Sequence, residues 1–313
     1  MDQTNTAVSP VTRHRPRRRA VLALGAGAGL AAAVATAPAH ATPRAAAGVS
    51  RELSALEREY SARLGVYAHD TATGRTVTYR ADERFPLCSV FKTLAAAKVL
   101  RDLDRDGEYL ARRIHYTKEY VTASGYAPVT GTDANVAGGM TVEELCAAAV
   151  SHSDNGAANL LLRELGGPTA VTRLCRSLGD GRTRLDRWEP ELNSAEPWRR
   201  TDTTSPRAVG RTYARLVLGR VLPDADRERL TGWLIANTTN IQRFRAGLPG
   251  DWILADKTGG GAAYGVANDV GIVWPPERPP LILSVLSTKY APEGPTDNPL
   301  VARAAALLAA ELT

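Results

Sequence analysis

A serine and a lysine spaced three residues apart open an apolar segment of this chain. Ser89 and Lys92 lie in a Ser-Val-Phe-Lys tetrapeptide, and the apolar positions after it predict a buried helix that begins at Ser89. Residues three apart share a helix face, so we expect the Ser89 hydroxyl and the Lys92 amine to meet. A hydroxyl attacks a carbonyl carbon when a base takes its proton, and a lysine can do so once burial lowers its pKa. The pair therefore predicts a serine nucleophile for acyl transfer.

Two further tripeptides follow in the chain. Ser-Asp-Asn occupies 153–155 and Lys-Thr-Gly occupies 257–259. Each alone is an ordinary loop or strand end, but the three motifs in this order resemble the penicillin-recognising serine enzymes. These enzymes include both β-lactam hydrolases and cell-wall peptidases. The spacing predicts a serine nucleophile, and the resemblance implies that this serine attacks the amide of a β-lactam or of a cell-wall peptide.

A string between the second and third motifs narrows the resemblance. The sequence Glu-Pro-Glu-Leu-Asn at 189–193 is similar to the Ω-loop of class A β-lactamases, and the likeness runs from about Leu53 to the C-terminus. It implies that Glu189 is the general base for the deacylating water and that Asn193 is the second anchor of that water. It also implies that Arg187 and Asp202 form a salt bridge at the neck of the loop.

The same resemblance assigns roles to the second and third motifs. It implies that Ser153 relays a proton to the leaving nitrogen and that Asn155 binds the side-chain amide of the substrate. Lys257 and Thr258 would bind the substrate carboxylate, with Lys257 a fixed positive charge beside Ser153. Gly259 completes the Lys-Thr-Gly motif of this site.

The walls of the site follow from the resemblance as well. The backbone N–H groups of Ser89 and Gly260 would form the oxyanion hole. Tyr126 resembles the aromatic wall of the family's cleft. For Asp154 we expect a structural role, in which its carboxylate accepts hydrogen bonds from backbone N–H groups of the loop.

One stretch departs from the commonest pattern of the family. Many members carry an arginine on the strand after Lys-Thr-Gly, whereas residues 260–269 of this chain hold no cation. Arg243 resembles the substitute that some members, notably from actinomycetes, supply from a neighbouring element. A guanidinium matches a carboxylate with two hydrogen bonds. Arg245 is the competing candidate for binding the substrate carboxylate. The alternative is that either residue is a surface arginine with no binding role.

Three functions share the serine motifs. The first is a secreted hydrolase that opens the β-lactam amide of penicillins and of some cephalosporins, with carbapenems not expected as substrates. The others are a cell-wall DD-peptidase and a sensor that is acylated without turnover. The Glu189-to-Asn193 string favours the first, because it supplies a base for deacylation. Whether Lys92 or Glu189 takes the serine proton in acylation stays open.

The first 41 residues predict export. Five arginines precede an Ala- and Gly-rich apolar run, which ends in Ala-His-Ala at 39–41, as in a signal peptide. Arg-Arg-Arg at 17–19 with a weakly apolar run suggests the twin-arginine route. The leader accounts for most of the net charge of +6 and leaves about +2 for the rest. We therefore expect a secreted, monomeric protein with no nucleic-acid partner and no membrane anchor after cleavage.

The cysteines and histidines indicate neither a disulfide nor a metal site. Cys88, Cys146 and Cys175 show no metal spacing, and the positions where some relatives place disulfide partners look like Ala96 and Gly261 here. We expect free, buried thiols. The five histidines also lack ligand spacing, and no cofactor is expected.

Strand signals at both ends surround a helical middle. Residues 65–68 and 76–79 predict a hairpin, and two strands flank the Pro-rich turn at 275–280. We expect an α+β fold in which an antiparallel five-stranded sheet is flanked by helices and a mostly helical lobe is inserted, as in the β-lactamase and transpeptidase family. The predicted α/β lobe spans 42–86 plus 237–313 and the helical lobe spans 87–236, with the motifs at their seam.

Overall fold

The computed structural model describes residues 43–261 and 263–313 of the 313-residue chain. The signal peptide predicted over 1–41 lies outside these residues, so the leader stays a prediction. In the two described ranges, no helix is both long enough and apolar enough to cross a membrane.

A five-stranded antiparallel sheet is built from both ends of the described chain. Its strand order is β2-β1-β9-β8-β7, so the N-terminal hairpin pairs with the C-terminal strands through β1 and β9. The strands of the structure are β1 Arg63–Asp70, β2 Thr76–Tyr79, β3 Phe85–Pro86, β4 Arg113–Ile114, β5 Met140–Thr141, β6 Thr203–Thr204, β7 Ile253–Gly260, β8 Ala267–Trp274 and β9 Leu281–Thr288. The predicted hairpin and the strands around 275–280 are confirmed.

Helices fill the segment between β2 and β7. The helices of the structure are α1 Pro43–Glu59, α2 Phe91–Asp102, α3 Glu108–Ala111, α4 Lys118–Ala123, α5 Asp133–Gly138, α6 Val142–Ser151, α7 Asn155–Glu164, α8 Thr169–Ser177, α9 Pro206–Val217, α10 Asp224–Ile235, α11 Phe244–Gly247 and α12 Asn298–Leu312. The predicted α+β fold with a helical insertion is confirmed. The lobe boundaries at 86/87 and 236/237 stay predictions.

Local signals in the sequence start and stop these helices. Thr141 and Glu144 form a reciprocal capping box at α6, in which each side chain accepts from the other residue's backbone N–H. Ser205 caps the N-terminus of α9, where its hydroxyl oxygen accepts a hydrogen bond from the backbone N–H of Ala208, the third residue of the helix. Gly166 and Gly167 follow α7 with φ of 80° and 103°, a region that favours glycine.

Both faces of the sheet are covered. Ile282 and Leu286 on β9 pack in the core beneath the helical segment, while Leu283 and Val285 pack against α1 and α12 on the other face. Alternate residues of a strand point to opposite faces, so a strand covered on both sides reads as a continuous apolar run. The sheet is therefore a rigid support for whatever lies at its β7 edge.

The three cysteines are buried and free, as predicted. Burial raises the pKa of each thiol, so little reactive thiolate forms at neutral pH. We expect the native protein to resist Ellman's reagent and the unfolded protein to react with three equivalents. The released chromophore counts the thiols, and a Cys175→Ser variant should lose one equivalent in denaturant. Rapid labelling of the native protein would contradict the burial.

Candidate functional site

Ser89 opens into a cleft at the β7 edge of the sheet. It lies in a 3₁₀ turn over Cys88–Val90 that precedes α2. Hydrogen bonds from a side chain of α9 and from a side chain of the sheet hold this turn in place. The Tyr213 hydroxyl donates to the Val90 carbonyl at 2.8 Å, and the Asn268 amide donates to the Pro86 carbonyl at 2.8 Å. Ser89, the predicted nucleophile, therefore lies on a turn that is held from two sides.

The cleft has a volume of about 540 Å³. Residues of all three motifs and of the predicted Ω-loop line it. Tyr126 and Arg243, the two predicted substrate-binding residues outside these segments, line it as well. The lining residues are Ser89, Gly125, Tyr126, Ser153, Asn155, Pro190, Glu191, Asn193, Ser194, Thr239, Arg243, Thr258, Gly260 and Ala263. Lys92, Glu189 and Lys257 lie buried behind this lining.

The Lys92 amine does not hydrogen-bond the Ser89 hydroxyl, contrary to the contact expected from helix spacing. It donates to the Ser153 carbonyl at 2.7 Å and to Asn155 Oδ1 at 2.6 Å, and it lies 3.2 Å from Glu189 Oε1. A fully buried ammonium needs oxygen partners, and these three satisfy it better than one hydroxyl. Burial lowers the pKa of Lys92, and the Glu189 charge opposes that shift.

Glu189 is a buried carboxylate held from three directions. Its Oε1 faces Lys92, and the Asn193 amide donates to its Oε2. Its backbone is clamped by Asn159, which accepts from the Glu189 N–H at 3.0 Å and donates to the Glu189 carbonyl at 2.9 Å. Asn193 Oδ1 is buried and has no hydrogen-bond partner in the described chain, so it can accept from a water beside the carboxylate.

The segment that carries Glu189 is closed at its neck by an ion pair. Arg187 Nε donates to Asp202 Oδ2 at 2.6 Å, as the resemblance implied. Asp202 Oδ1 also accepts from the backbone N–H groups of Asp186 and Arg187, at 2.7 and 3.0 Å. This buried carboxylate therefore joins the two ends of the loop.

The Ser-Asp-Asn motif is fixed by its middle residue. The Asp154 carboxylate accepts from the backbone N–H groups of Val129, Thr130 and Ala157 at 2.8 to 2.9 Å, which is the structural role expected for it. Ser153 has φ of 57°, a strained value that this anchoring maintains. The Ser153 hydroxyl then lies 3.4 Å from the Lys92 amine.

Lys257 is fully buried on β7, and its amine donates to the Thr258 carbonyl at 3.0 Å. Burial, reinforced by the charge of Lys92, lowers the pKa of Lys257 to about 7. The role of Lys257 as a fixed positive charge stays a prediction, and the lowered pKa implies that this charge depends on pH near neutrality. The hydroxyl of Thr258 pairs with that of Thr239 at the edge of the cleft.

Arg243, and not Arg245, reaches the cleft. Its Nη1 donates to the Gly259 and Asn268 carbonyls at 2.7 Å each, and its Nε donates to Asn298 Oδ1 at 2.8 Å. Arg245 instead donates to the Trp252 carbonyl away from the cleft lining. Tyr126 lies at the rim, with 59% of its surface exposed.

Two residues of the site carry no motif in the sequence. Asn159 follows Asn155 by one helical turn on α7, and that spacing was the signal that could have paired them. Thr239 belongs to a polar run at 237–240, which reads as a loop and gives no sign of its hydrogen bond to Thr258. Long-range contacts of this kind need the fold.

The described residues contain no group of three or more His, Cys, Asp or Glu side chains that could hold a metal ion. The site instead combines a hydroxyl, a buried amine and a buried carboxylate around one cleft. This set suits attack on a carbonyl followed by water activation.

Comparisons with known proteins agree with this geometry. Residues 48–312 match the family described as "Beta-lactamase enzyme family". A "Beta-lactamase" of Kitasatospora aureofaciens is 70% identical over 269 residues, which is 86% of each chain.

Solved structures give the same result. The β-lactamase of Streptomyces albus G superposes with a TM-score of 0.84 at 63% identity, covering 85% of this chain and 100% of that one. An "Ancestral (GNCA) Beta-lactamase class A" gives 0.79 at 49% identity, covering 84% and 99%. The chain belongs to the class A β-lactamases.

Proposed function

We propose that the protein opens the β-lactam amide of penicillins, and of some cephalosporins, through an acyl-enzyme on Ser89 that Glu189-activated water hydrolyses. One observation carries the proposal. The Glu189 carboxylate is buried between Lys92 and Asn193, directly behind a cleft that Ser89 lines. A sensor that stops at acylation has no need of such a base, and the family resemblance assigns the Glu189-to-Asn193 element to β-lactam hydrolases and not to DD-peptidases. Bulky cephalosporins and carbapenems are expected to be poor substrates.

In acylation, the Ser89 oxygen attacks the β-lactam carbonyl and forms a C–O bond. Its proton goes to the amine of Lys92 or to the carboxylate of Glu189, and the lowered pKa of Lys92 makes the neutral amine accessible. The oxyanion is stabilised by the N–H groups of Ser89 and Gly260. The C–N bond then breaks, and the Ser153 hydroxyl passes a proton to the leaving nitrogen.

In deacylation, a water molecule attacks the ester carbon. Glu189 takes the proton of that water, and the unpartnered Oδ1 of Asn193 accepts its second hydrogen, which orients it. The C–O bond to Ser89 breaks and the serine recovers a proton. The clamp of Asn159 on the Glu189 backbone keeps this geometry fixed during the reaction.

The rest of the cleft binds the substrate. The Asn155 amide nitrogen donates to the Ser124 carbonyl at 2.9 Å and has a second hydrogen for the side-chain amide of the substrate. Thr258, Lys257 and Arg243 offer a hydroxyl and two cationic groups to the substrate carboxylate. Tyr126 would cover one side of the bound molecule.

Turnover of benzylpenicillin tests the function. Ring opening is followed by absorbance, and the mass of the protein is recorded during the reaction. We expect steady hydrolysis without a persistent adduct, and no hydrolysis by Ser89→Ala. A stoichiometric burst that stalls would favour a sensor. Cleavage of a D-Ala-D-Ala peptide without penicillin turnover would favour a DD-peptidase.

Replacement of Arg243 by alanine tests the binding of the substrate carboxylate. We expect KM for benzylpenicillin to rise about 10-fold or more, because a charge-assisted hydrogen bond contributes about 1.5 to 3 kcal/mol. Arg245→Ala is the matched control, since that side chain faces away from the cleft, and its KM should stay near that of the wild type. Equal effects of both variants would contradict the assignment of Arg243.

The pH profile tests Lys257. Its folded pKa of about 7 lies below the ordinary value of a lysine, so the cation is present below that pH and is lost as pH rises. If the cation binds the carboxylate, kcat/KM should fall on the alkaline side, from about pH 7 upward in the free enzyme. Lys257→Arg keeps its charge at high pH and should shift or remove this limb. An identical profile in that variant would exclude Lys257 as its origin.

We also infer export and a monomeric state. The basic, apolar and small-residue segments within the first 41 residues support a cleaved signal peptide of the twin-arginine type. Every side chain that the proposed mechanism uses comes from this one chain, which supports a monomer as the catalytic unit.

A further inference from the structure

Two carboxyl groups are buried together beneath the substrate-binding edge of the sheet, and the proposed mechanism does not use them. Asp256 lies on β7 immediately before Lys257, and Asp269 lies on β8 opposite Thr258. Both residues are fully buried. Burial of two adjacent negative charges is costly, so their arrangement needs a physical reason.

In each carboxyl group, one oxygen accepts a hydrogen bond from the 239–244 segment and the other oxygen has no donor outside the pair. Asp256 Oδ1 accepts from the Asn240 amide at 2.7 Å, and Asp269 Oδ2 accepts from the Phe244 backbone N–H at 3.1 Å. Asp256 Oδ2 and Asp269 Oδ1 are buried with no hydrogen-bond donor in the described chain. The register of β7 and β8 makes the two residues diagonal neighbours, so that each carboxyl group faces the other. A single proton between them satisfies both leftover oxygens.

The surroundings decide which residue carries that proton. Burial raises the pKa of Asp256, and the contact with Asp269, the Asn240 amide and the charge of Lys257 oppose that rise. Burial and the neighbouring Asp256 raise the pKa of Asp269 well above its ordinary value, against the charge of Arg243. Asp269 is therefore the acid and Asp256 the carboxylate.

The outer bonds of this pair hold the segment that carries two cleft residues. The Asn240 side chain bound by Asp256 follows Thr239, and the Phe244 N–H bound by Asp269 follows Arg243. Thr239 and Arg243 both line the cleft. The pair thus fastens the 239–244 segment to the strands at two points.

We propose that Asp269 and Asp256 share one proton and that this acid–carboxylate pair positions Arg243 and Thr239 to bind the substrate carboxylate. This inference rests on the proposed function for its kinetic part only. Asp269 and Asp256 are positioning residues, because neither lines the cleft. A merely structural role would lower stability without changing KM selectively.

Substitution of Asp269 tests the positioning role. In Asp269→Asn the amide can donate to Asp256 while its oxygen accepts from Phe244, so KM for benzylpenicillin should stay within about 3-fold of the wild type. In Asp269→Ala both bonds are lost, and KM should rise about 10-fold, with a smaller fall in kcat. Val273→Ala, a cavity at another position of β8, is the control for lost stability alone and should leave KM unchanged.

A double-mutant cycle shows whether the effect acts through Arg243. In an Arg243→Ala background, Asp269→Ala should raise KM by only about 2-fold, since the guanidinium that it positions is already gone. A full additional effect in that background would overturn the positioning role. So would an Asp269→Asn variant as impaired as Asp269→Ala. If Asp269→Ala does not fold, Asp269→Asn and the spectrum described next decide the outcome.

Infrared spectroscopy tests the shared proton without substrate. The wild type at pH 8 should show the carbonyl band of a protonated, buried carboxylic acid, and Asp269→Asn should lack it. Absence of the band from the wild type would overturn the shared proton. This measurement is independent of turnover, so a protein that failed to hydrolyse penicillin while showing the band would contradict the proposed function and leave the proton assignment supported.

Discussion

Replacement of Glu189 by alanine should turn a hydrolase into a protein that is acylated and stalls. Without the carboxylate, the water that we propose Asn193 to orient would have no base, and deacylation should slow about 10²- to 10⁴-fold. Acylation should persist, because Lys92 keeps its bonds to the Ser153 carbonyl and Asn155 and loses a charge that favours its protonated form. The expected result is a burst of ring opening equal to the enzyme concentration.

The burst is measured by stopped-flow absorbance, and mass spectrometry should show a persistent adduct on Ser89. Glu191→Gln is the matched control, because Glu191 lies on the same loop, lines the same cleft and is exposed. That variant should turn over at nearly the wild-type rate. Unchanged turnover of Glu189→Ala would remove Glu189 from its assigned role.

The same variant addresses the base of acylation. If Lys92 accepts the Ser89 proton, the burst rate in Glu189→Ala should stay close to that of the wild type. If Glu189 accepts it, acylation and deacylation should slow together and the burst should disappear. The buried contact between these two side chains, at 3.2 Å, makes both routes geometrically accessible.

Sequence patterns anticipated the elements that position the site. The capping box of Thr141 and Glu144 and the hairpin before residue 80 follow from interactions between near neighbours, which spacing encodes. Strand signals at both ends of the chain predicted one sheet built from the two termini, and the family resemblance supplied its five antiparallel strands. Asp154 also behaves as expected, because a short side chain in a loop bonds to nearby backbone N–H groups.

Contacts between distant elements could not be read from spacing. The Lys92 amine turns to the Ser153 carbonyl and to Glu189, which lie 61 and 97 positions away in the sequence, instead of to Ser89 in the 3₁₀ turn just before its helix. The lowered pKa of Lys257 has the same origin, since it reflects burial and the nearby charge of Lys92. The choice of Arg243 over Arg245 likewise depends on which side chain turns toward the cleft.

Removal of the guanidinium at position 187 should loosen the loop that carries Glu189. In Arg187→Ala the Asp202 carboxylate, with 1% of its side chain exposed, loses its cationic partner and keeps two backbone N–H bonds. Breaking a buried pair at one partner typically costs about 3 to 5 kcal/mol. Because 27% of the Arg187 side chain is exposed and solvent screens its charge, we expect a loss of roughly 2 to 3 kcal/mol in the free energy of unfolding, at or just below the lower bound of that range.

Arg184→Ala is the matched control for this prediction. Arg184 pairs with Asp186 on the same segment, but the two side chains are 40% and 20% exposed, so its loss should cost about 0 to 1 kcal/mol. Urea unfolding of both variants, with the slope held to that of the wild type, measures the difference. Equal destabilisation would show that the buried carboxylate of Asp202 is not the anchor.

The kinetic consequence of Arg187→Ala should follow the geometry of the loop. Glu189 lies two residues beyond the ion pair, so a loosened neck should misplace the carboxylate relative to the ester while Ser89 and Lys92 stay fixed by α2 and its preceding turn. Deacylation should therefore fall more than acylation, and an adduct should accumulate partway toward the level of Glu189→Ala. Arg187→Lys, which restores a cation without the fork of the guanidinium, should recover part of both stability and turnover. Equal slowing of acylation and deacylation would instead mean that the ion pair supports the whole cleft.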